Sequence, residues 1–141
     1  MVEFHFQSPV TLANRKPLKL FLQQAAKEEG FHLNSLSIVF CSDQYLLTIN
    51  KEYLKHHDFT DIITFDYSGE KGSIHGELYV SVTRVRENSR AFGVSLQSEL
   101  HRVIFHGLMH LCGYSDKTPG EKKIMRAKED YYLSKYFGRS T

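Results

Sequence analysis

The spacing of hydrophobic residues predicts alternating strands and helices in the first third of the chain. Apolar and polar side chains alternate over residues 3–7, which indicates a short strand with one buried face. From Pro17 to Gly30 the apolar residues recur every three or four positions, as in an amphipathic helix. Residues 36–41 are mostly apolar and include β-branched side chains, as expected for a central strand. Two strands joined by a helix predict a parallel crossover connection.

The middle of the chain predicts a second helix and two further strands. Ser42 has the position of an N-cap for a helix that continues through Tyr53. Residues 61–67 and 74–82 then have the composition of strands, and the six residues between them include two glycines. Because so short a connection cannot form a parallel crossover, these strands should pair antiparallel and the sheet should be mixed.

Three helices are predicted in the last third of the chain. They cover residues 83–92, the stretch from Ser95 to about residue 111, and the stretch that begins with a capping box at Thr118. The apolar residues expected to pack the last helix are Ile124, Met125, Tyr131, Tyr132 and Tyr136. The whole pattern predicts a single domain, residues 1–141, of the α/β (α+β) class. It should have a mixed, roughly four-stranded sheet packed with about five helices.

His106, His110, Gly113 and Asp116 have the spacing of a metal site at the end of the penultimate helix. Two histidines four residues apart lie on one helical face, so both imidazoles can reach one ion. Gly113 can adopt the left-handed conformation that ends a helix, which turns Asp116 back toward the same point. Three ligands leave a fourth position open, which is typical of catalytic zinc sites. The alternative is a pair of helix histidines and a capping glycine that bind no metal.

The stretch HGLMHLCGYSD, which begins at His106, resembles the HGxLHLxGYDH signature of the YbeY family of metal-dependent endoribonucleases. The positions that match are Gly107, His110, Leu111, Gly113 and Tyr114. The positions that depart are Met109 for Leu, Ser115 for Asp, and Asp116 for the third His. Asp is itself a competent zinc ligand, so the departure at Asp116 preserves a donor.

A second segment extends the resemblance beyond the metal motif. The family has an NxxYR segment shortly before a strand similar to TDVLSF, and the matching residues here are Asn50, Tyr53, Thr60, Asp61 and Phe65. Leu54 stands where the family has an Arg that is implicated in activity.

The resemblance implies a single-strand-specific endoribonuclease that acts in ribosomal RNA processing and ribosome maturation. Such an enzyme hydrolyses phosphodiesters with a metal-activated water. We expect one Zn²⁺ per chain, or another divalent ion, with His106, His110 and Asp116 as ligands. Single-stranded ribosomal RNA would be the substrate, and the small ribosomal subunit or its assembly factors would be partners. No catalytic side chain beyond the metal ligands is assigned.

Four basic residues are candidates for contacts with RNA phosphates. Lys55 could replace the family Arg as a point charge without bidentate geometry. Arg84, Arg86 and Arg90 lie on one predicted helix. All four could equally be solvated surface residues. Because the net charge is only +2, any affinity for RNA must come from such local clusters.

Two other functions stay open at this point. The histidine spacing is also similar to that of metzincin metalloproteases, whose HExxH helix has a Glu after the first His. This chain has Gly107 there and so lacks that general base, which favours RNA hydrolysis. The second possibility is a ribosome-assembly binding protein whose metal is only structural. The departures at Asp116 and Leu54 keep it open.

Cysteine usage and hydropathy predict a cytoplasmic protein. Cys41 and Cys112 are too few for a disulfide framework and form no CxxC pair, so both should be reduced. The first residues lack the features of a signal peptide, and no apolar run approaches the roughly 18 residues of a membrane span.

Overall fold

The computed structural model describes residues 1–54 and 60–138. Within these residues the chain forms four strands and five helices. In chain order they are β1 (Val2–Phe6), α1 (Arg15–Glu28), β2 (His32–Cys41), α2 (Asp43–Tyr53), β3 (Ile62–Asp66), β4 (Ser73–Ser81), α3 (Val82–Phe92), α4 (Leu96–Leu111) and α5 (Pro119–Phe137). The predicted α+β class with five helices is therefore confirmed.

The four strands form one mixed sheet in the order β1-β2-β4-β3. β1 and β4 both pair with β2 in parallel, so the crossover predicted around α1 is confirmed. β3 pairs antiparallel with β4, as the short connection between them requires. β3 is an edge strand, which leaves one side of it facing the region where the metal motif lies.

Helices cover both faces of the sheet. On one face α1, α3, α4 and α5 share a large core with the strands, and its fully buried members include Leu22, Ile38, Leu78, Ile104 and Tyr132. On the other face α2 packs on a smaller cluster formed by Cys41, Leu46, Ile49 and Ile63. Because strand side chains alternate between faces, successive residues of β2 and β3 pack alternately into the larger and the smaller cluster.

The helix N-termini are capped largely as predicted. The hydroxyls of Ser42 and Ser95 accept hydrogen bonds of 3.0 Å from backbone N–H groups three residues later. Thr118 and Glu121 form the complete capping box. α3 begins earlier than predicted because Ser81, at the end of β4, caps it directly. The strand and the helix thus join without a loop.

The prediction for the packing of α5 is partly wrong. Ile124 and Tyr131 are exposed, whereas the buried residues are Met125, Glu129, Tyr132 and Leu133. These four residues recur at helical spacing on one face, and Ile124 and Tyr131 each lie one position beside it. The buried face of α5 therefore contains a carboxylate that hydrophobicity alone does not indicate.

Two glycines allow α4 to lie unusually close to the sheet. A Cβ atom on Gly107 would lie 2.7 Å from Leu78 Cδ2 and 2.9 Å from Ile62 Cδ1. A Cβ on Gly76 of β4 would lie 2.7 Å from the Phe65 carbonyl oxygen and 2.9 Å from Leu111 Cδ2. Real Cβ atoms do not approach other atoms this closely, so a side chain at Gly107 would displace Leu78 and Ile62, and one at Gly76 would clash with the β3 backbone.

We predict that Gly107→Ala lowers the free energy of unfolding by about 1 to 3 kcal/mol, because the added methyl group overpacks a buried contact with Leu78. The matched control is Gly120→Ala in the first turn of α5, where a Cβ meets no atom within 4 Å. That change should be neutral or stabilising, since alanine favours the helix. Urea unfolding of the three proteins checks this. Equal stability of both variants would contradict the close approach of α4.

Candidate metal centre

α4 places His106 and His110 one turn apart on the same side of the helix. Their Nε2 atoms lie 3.0 Å apart and their ring centroids 4.6 Å apart. Both side chains are partly buried, because the helix around them packs on the sheet through Gly107 and its neighbours. The spacing of four residues therefore gives two converging nitrogens, as predicted.

The turn after α4 brings a carboxylate to the same point. Gly113 adopts a φ of 96°, in the left-handed region, and its N–H donates to the His110 carbonyl. The Tyr114 N–H donates to the Met109 carbonyl, which completes a Schellman ending. Asp116 Oδ2 then lies 3.2 Å from His106 Nε2 and 3.5 Å from His110 Nε2.

The outer nitrogens of both imidazoles have acceptors. His106 Nδ1 lies 2.6 Å from Glu129 Oε2, and His110 Nδ1 lies 2.9 Å from the Tyr114 carbonyl oxygen. A carboxylate and a carbonyl can only accept, so each Nδ1 carries a hydrogen. Both Nε2 atoms therefore face the space beside Asp116 and are the nitrogens left to bind an ion. This is the arrangement that positions histidines on metal ions, so the donor set fits a divalent cation.

Glu129 is held in place by arginine. Its side chain is only 8% exposed, and Arg102 Nη1 donates to its Oε1 at 2.9 Å. Burial raises the pKa of Glu129, but the hydrogen bonds from His106 and Arg102 outweigh burial and lower it. Burial likewise lowers the pKa of the His106 imidazole, and the hydrogen bond and charge of Glu129 reverse that and raise it. Glu129 is thus an ionised acceptor that fixes the His106 ring.

A buried carboxylate from α1 fixes the other side of the turn. Glu29, directly after α1, accepts hydrogen bonds from the Tyr114 hydroxyl at 2.7 Å and from Lys128 Nζ at 3.0 Å. The hydroxyl of Tyr132 also donates to it. The residue whose carbonyl orients His110 is therefore connected to both α1 and α5.

The three donors open into a cleft of about 820 Å³ beside β3. Its other lining residues are Asn50, Leu54, Thr60, Asp61, Ile62, Ile63, Thr64, Asp66, Leu111 and Lys117. Burial raises the pKa of the Asp61 carboxyl, and the nearby charge of His106 opposes that shift. Four of the lining residues, Ile62 to Thr64 and Asp66, belong to the edge strand β3, so the cleft follows that strand.

Comparison with known proteins identifies the family. The family model described as Endoribonuclease YbeY matches residues 5–137. The chain belongs to the YbeY family. It is 47% identical to the endoribonuclease YbeY of Cytophaga hutchinsonii over 87% of this chain and 86% of that protein. It is 38% identical to the one from Flavobacterium johnsoniae over 96% of this chain and 97% of that protein.

A solved structure supports the same fold. The solution structure of a Thermotoga maritima protein, TM1509, matches with a TM-score of 0.68 and 26% sequence identity. The match covers 98% of this chain and 90% of that chain. The resemblance seen in two short motifs thus extends to the whole described architecture.

The structure brings the two YbeY motifs together. Asn50, Thr60 and Asp61 from the second motif line the same cleft as the His106 cluster. Leu54, where the family has Arg, also lines it and contributes an apolar surface. The cleft of this family member therefore lacks a guanidinium at that position.

The three predicted phosphate-binding arginines do not line the cleft. Arg84 lies 3.3 Å from Asp43 and 3.5 Å from Glu87, and it does not line the cleft. Arg86 and Arg90 are exposed on α3 and do not line it either. Lys55 lies outside the described residues. Contacts of these four residues with RNA remain a prediction.

Sequence reasoning missed three polar residues around the site. Lys117 and Asp61 line the cleft, and Glu129 supports His106 from α5. Lys117 directly follows a predicted ligand, so its proximity could have been inferred. Glu129 shares a helical face with Met125 and Tyr132, and an acid on an apolar stripe is the signal that could have revealed it. For Asp61 the only signal was its place in the second motif.

The two cysteines do not contribute to the site. Cys41 and Cys112 are both free and buried. Burial raises the pKa of each thiol to about 12, so neither is a thiolate at neutral pH. The donor set is therefore limited to nitrogen and oxygen.

We predict that Glu129→Gln weakens divalent-ion binding by about 10- to 100-fold, because the His106 ring loses its charged acceptor. Asp130→Asn is the matched control. Asp130 also pairs with Arg102, at 2.8 Å, but it is exposed and shows no contact with His106. Competition with a chromophoric chelator, with Zn²⁺ as the probe ion, measures both affinities. If Glu129→Gln and Asp130→Asn bind zinc as tightly as the unchanged protein, Glu129 does not position the ligand.

Proposed function

We propose that this protein is a metal-dependent endoribonuclease that hydrolyses single-stranded RNA in ribosomal RNA maturation. The observation that carries the proposal is the convergence of His106, His110 and Asp116 in an open cleft of a YbeY-family chain. Their donor atoms all lie within 4.8 Å of one another. The relatives that match most of its length are named as endoribonucleases.

We propose one divalent ion per chain, with zinc as the native metal. Two imidazole nitrogens and one carboxylate oxygen are a donor set that zinc accepts, and they leave a position for a substrate or water. When bound, such an ion lowers the pKa of a water molecule and draws charge from phosphate oxygens. The protein's part is to fix the donors. Glu129 and the Tyr114 carbonyl hold both rings with Nε2 facing the cleft.

Positive charge for the substrate is available from Lys117. It lines the cleft directly after Asp116 and offers an ammonium group to a phosphate beside the donors. Its role differs from that of the family Arg, because an ammonium group cannot form the bidentate pair of a guanidinium. Arg84, Arg86 and Arg90 would contact RNA only beyond the cleft.

The packing of Gly107 supports a nuclease over a protease. A metzincin protease needs a Glu after the first histidine, where this chain has Gly107. A Cβ there would meet Leu78 and Ile62, so a carboxylate at this position would have to displace their packing against α4. A phosphodiester has its own anionic oxygens, one of which can accept the proton of the attacking water.

We also propose a cytoplasmic location and partners in the small ribosomal subunit or its assembly factors. The two free, buried cysteines agree with a reducing compartment. Across the described residues no helix is long and apolar enough to cross a bilayer. We propose further that residues 1–141 act as one hydrolase domain, since the cleft uses residues from α2 to the turn after α4.

We predict that the protein cleaves unstructured RNA, leaves the same RNA in a duplex intact and does not digest casein. A chelator should abolish cleavage. His110→Ala should lose the bound ion and on the order of 100-fold or more of the activity, because one of three donors is removed. His32→Ala is the matched control, since His32 is exposed at the start of β2 and outside the cleft.

Elemental analysis and gel-resolved cleavage of each variant measure both effects. Casein digestion that the chelator stops, with RNA left intact, would support the protease. Metal bound without turnover of either substrate would support a binding protein with a structural ion.

A further inference from the structure

An aromatic surface lies next to the cleft and takes no part in the chemistry described above. It is formed by Tyr45, Tyr53, Phe65, Tyr67 and Tyr79, which with Ile49 line a depression of about 220 Å³. Tyr53 is 68% exposed and Tyr67 is 51% exposed. Both rings are therefore open to solvent and are not taken up by core packing.

The rings of this aromatic surface hold one another in fixed orientations. Phe65 lies at the centre, with its centroid 6.3 Å from Tyr53, 6.2 Å from Tyr67 and 5.8 Å from Tyr79. The Phe65 and Tyr67 planes are within 4° of parallel, whereas Tyr53 and Tyr79 meet Phe65 edge-on. Such contacts restrict the rings before any ligand binds, so little side-chain entropy remains to be lost.

The surface is unsuited to phosphate. Tyr67 donates to Glu77 Oε1 at 2.7 Å, and the Tyr79 hydroxyl lies 3.4 Å from Glu77 Oε2. The carboxylate of Asp66 belongs to the strand between the surface and the cleft. These negative charges repel an anionic backbone, while the ring faces of Tyr53 and Tyr67 remain available to flat, uncharged groups.

The surface is continuous with the cleft through two elements. On the edge strand β3, Thr64 and Asp66 line the cleft, while Phe65 between them faces the aromatic surface. On α2, Leu54 lines the cleft and the preceding Tyr53 lies on the surface. A substrate strand that leaves the cleft and crosses β3 therefore reaches the rings of the aromatic surface within the width of one β-strand.

We propose that this aromatic surface stacks bases of single-stranded RNA whose scissile phosphate lies in the cleft. The inference rests on the proposed nuclease function and extends it to substrate choice. Unpaired bases have free faces for Tyr53 and Tyr67, whereas duplex bases are already stacked on each other. Stacking is tolerant of sequence, because every base has a π-face. The surface therefore selects single strands without reading a particular sequence.

The test is equilibrium binding of the full chain to two single-stranded RNA oligonucleotides of equal length. One bears all its bases, with 2-aminopurine as a fluorescent reporter, and the other has a run of abasic sites with the same number of phosphates. Tyr53→Ala and Tyr67→Ala should each weaken binding of the base-bearing strand by about 5- to 150-fold and quench 2-aminopurine less. Binding of the abasic strand should not change.

Three controls separate stacking from unfolding and from loss of the hydroxyl groups. Tyr53→Phe and Tyr67→Phe keep the ring and should bind as the unchanged protein does. Phe92→Ala removes an exposed ring at the end of α3 that lines neither the cleft nor the aromatic surface, so it should have no effect. Thermal unfolding of each variant confirms that it is folded.

The proposal is overturned if the alanine variants bind the base-bearing strand normally, or if they weaken both strands equally. Either result would mean that the aromatic surface does not stack RNA bases and instead binds a protein partner or no ligand. RNA cleavage is assayed separately on the same preparations. Cleavage without base-dependent binding would reject base stacking by the aromatic surface but not the nuclease function. Base-dependent binding without cleavage would reject the nuclease function but not base stacking.

Discussion

The close packing of α4 on the sheet is the constraint on which the site depends. Gly107 and Gly76 remove the side chains that would separate the helix from β3 and β4. His106 and His110 then project beside the edge strand, where Thr64 and Asp66 complete the cleft. A metal site needs ligands on an element that does not move, and a helix packed at two glycine contacts meets that need.

The donors are oriented by residues that come from distant parts of the chain. Glu129 from α5 and the Tyr114 carbonyl after α4 each accept a hydrogen bond from the Nδ1 atom of one imidazole. Glu29 after α1 holds Tyr114, and Arg102 holds Glu129. The turn that presents Asp116 is thus bounded by three helices. These hydrogen bonds hold the two imidazoles and the Asp116 carboxylate close together, although polar groups in a partly buried site are costly to bring together.

How much of the site could be read from the sequence depends on how local each part is. His106, His110 and Asp116 lie within one helix and one turn, whose geometry follows from helical spacing and a left-handed Gly113. The helical spacing of Glu129 with Met125 and Tyr132 could mark it as a buried acid, but its contact with His106 depends on how α5 packs on α4. The strand order likewise depends on long-range pairing and was not predicted.

The same limit explains the errors on helix faces. Hydrophobicity assigned Ile124 and Tyr131 to the core, but the orientation of α5 buries Glu129 and leaves both apolar residues exposed. A pattern identifies an amphipathic helix, whereas the rotation of the helix about its axis is set by its neighbours.

X-ray absorption spectroscopy of the zinc-loaded protein shows whether His106, His110 and Asp116 bind the ion. We expect two imidazole nitrogens at about 2.0 to 2.1 Å and at least one carboxylate oxygen, with no sulfur. Asp116→His should raise the imidazole count to three, because the new ring replaces the carboxylate. A shell that contains sulfur, or one with the same imidazole count in both proteins, would contradict the assignment of His106, His110 and Asp116.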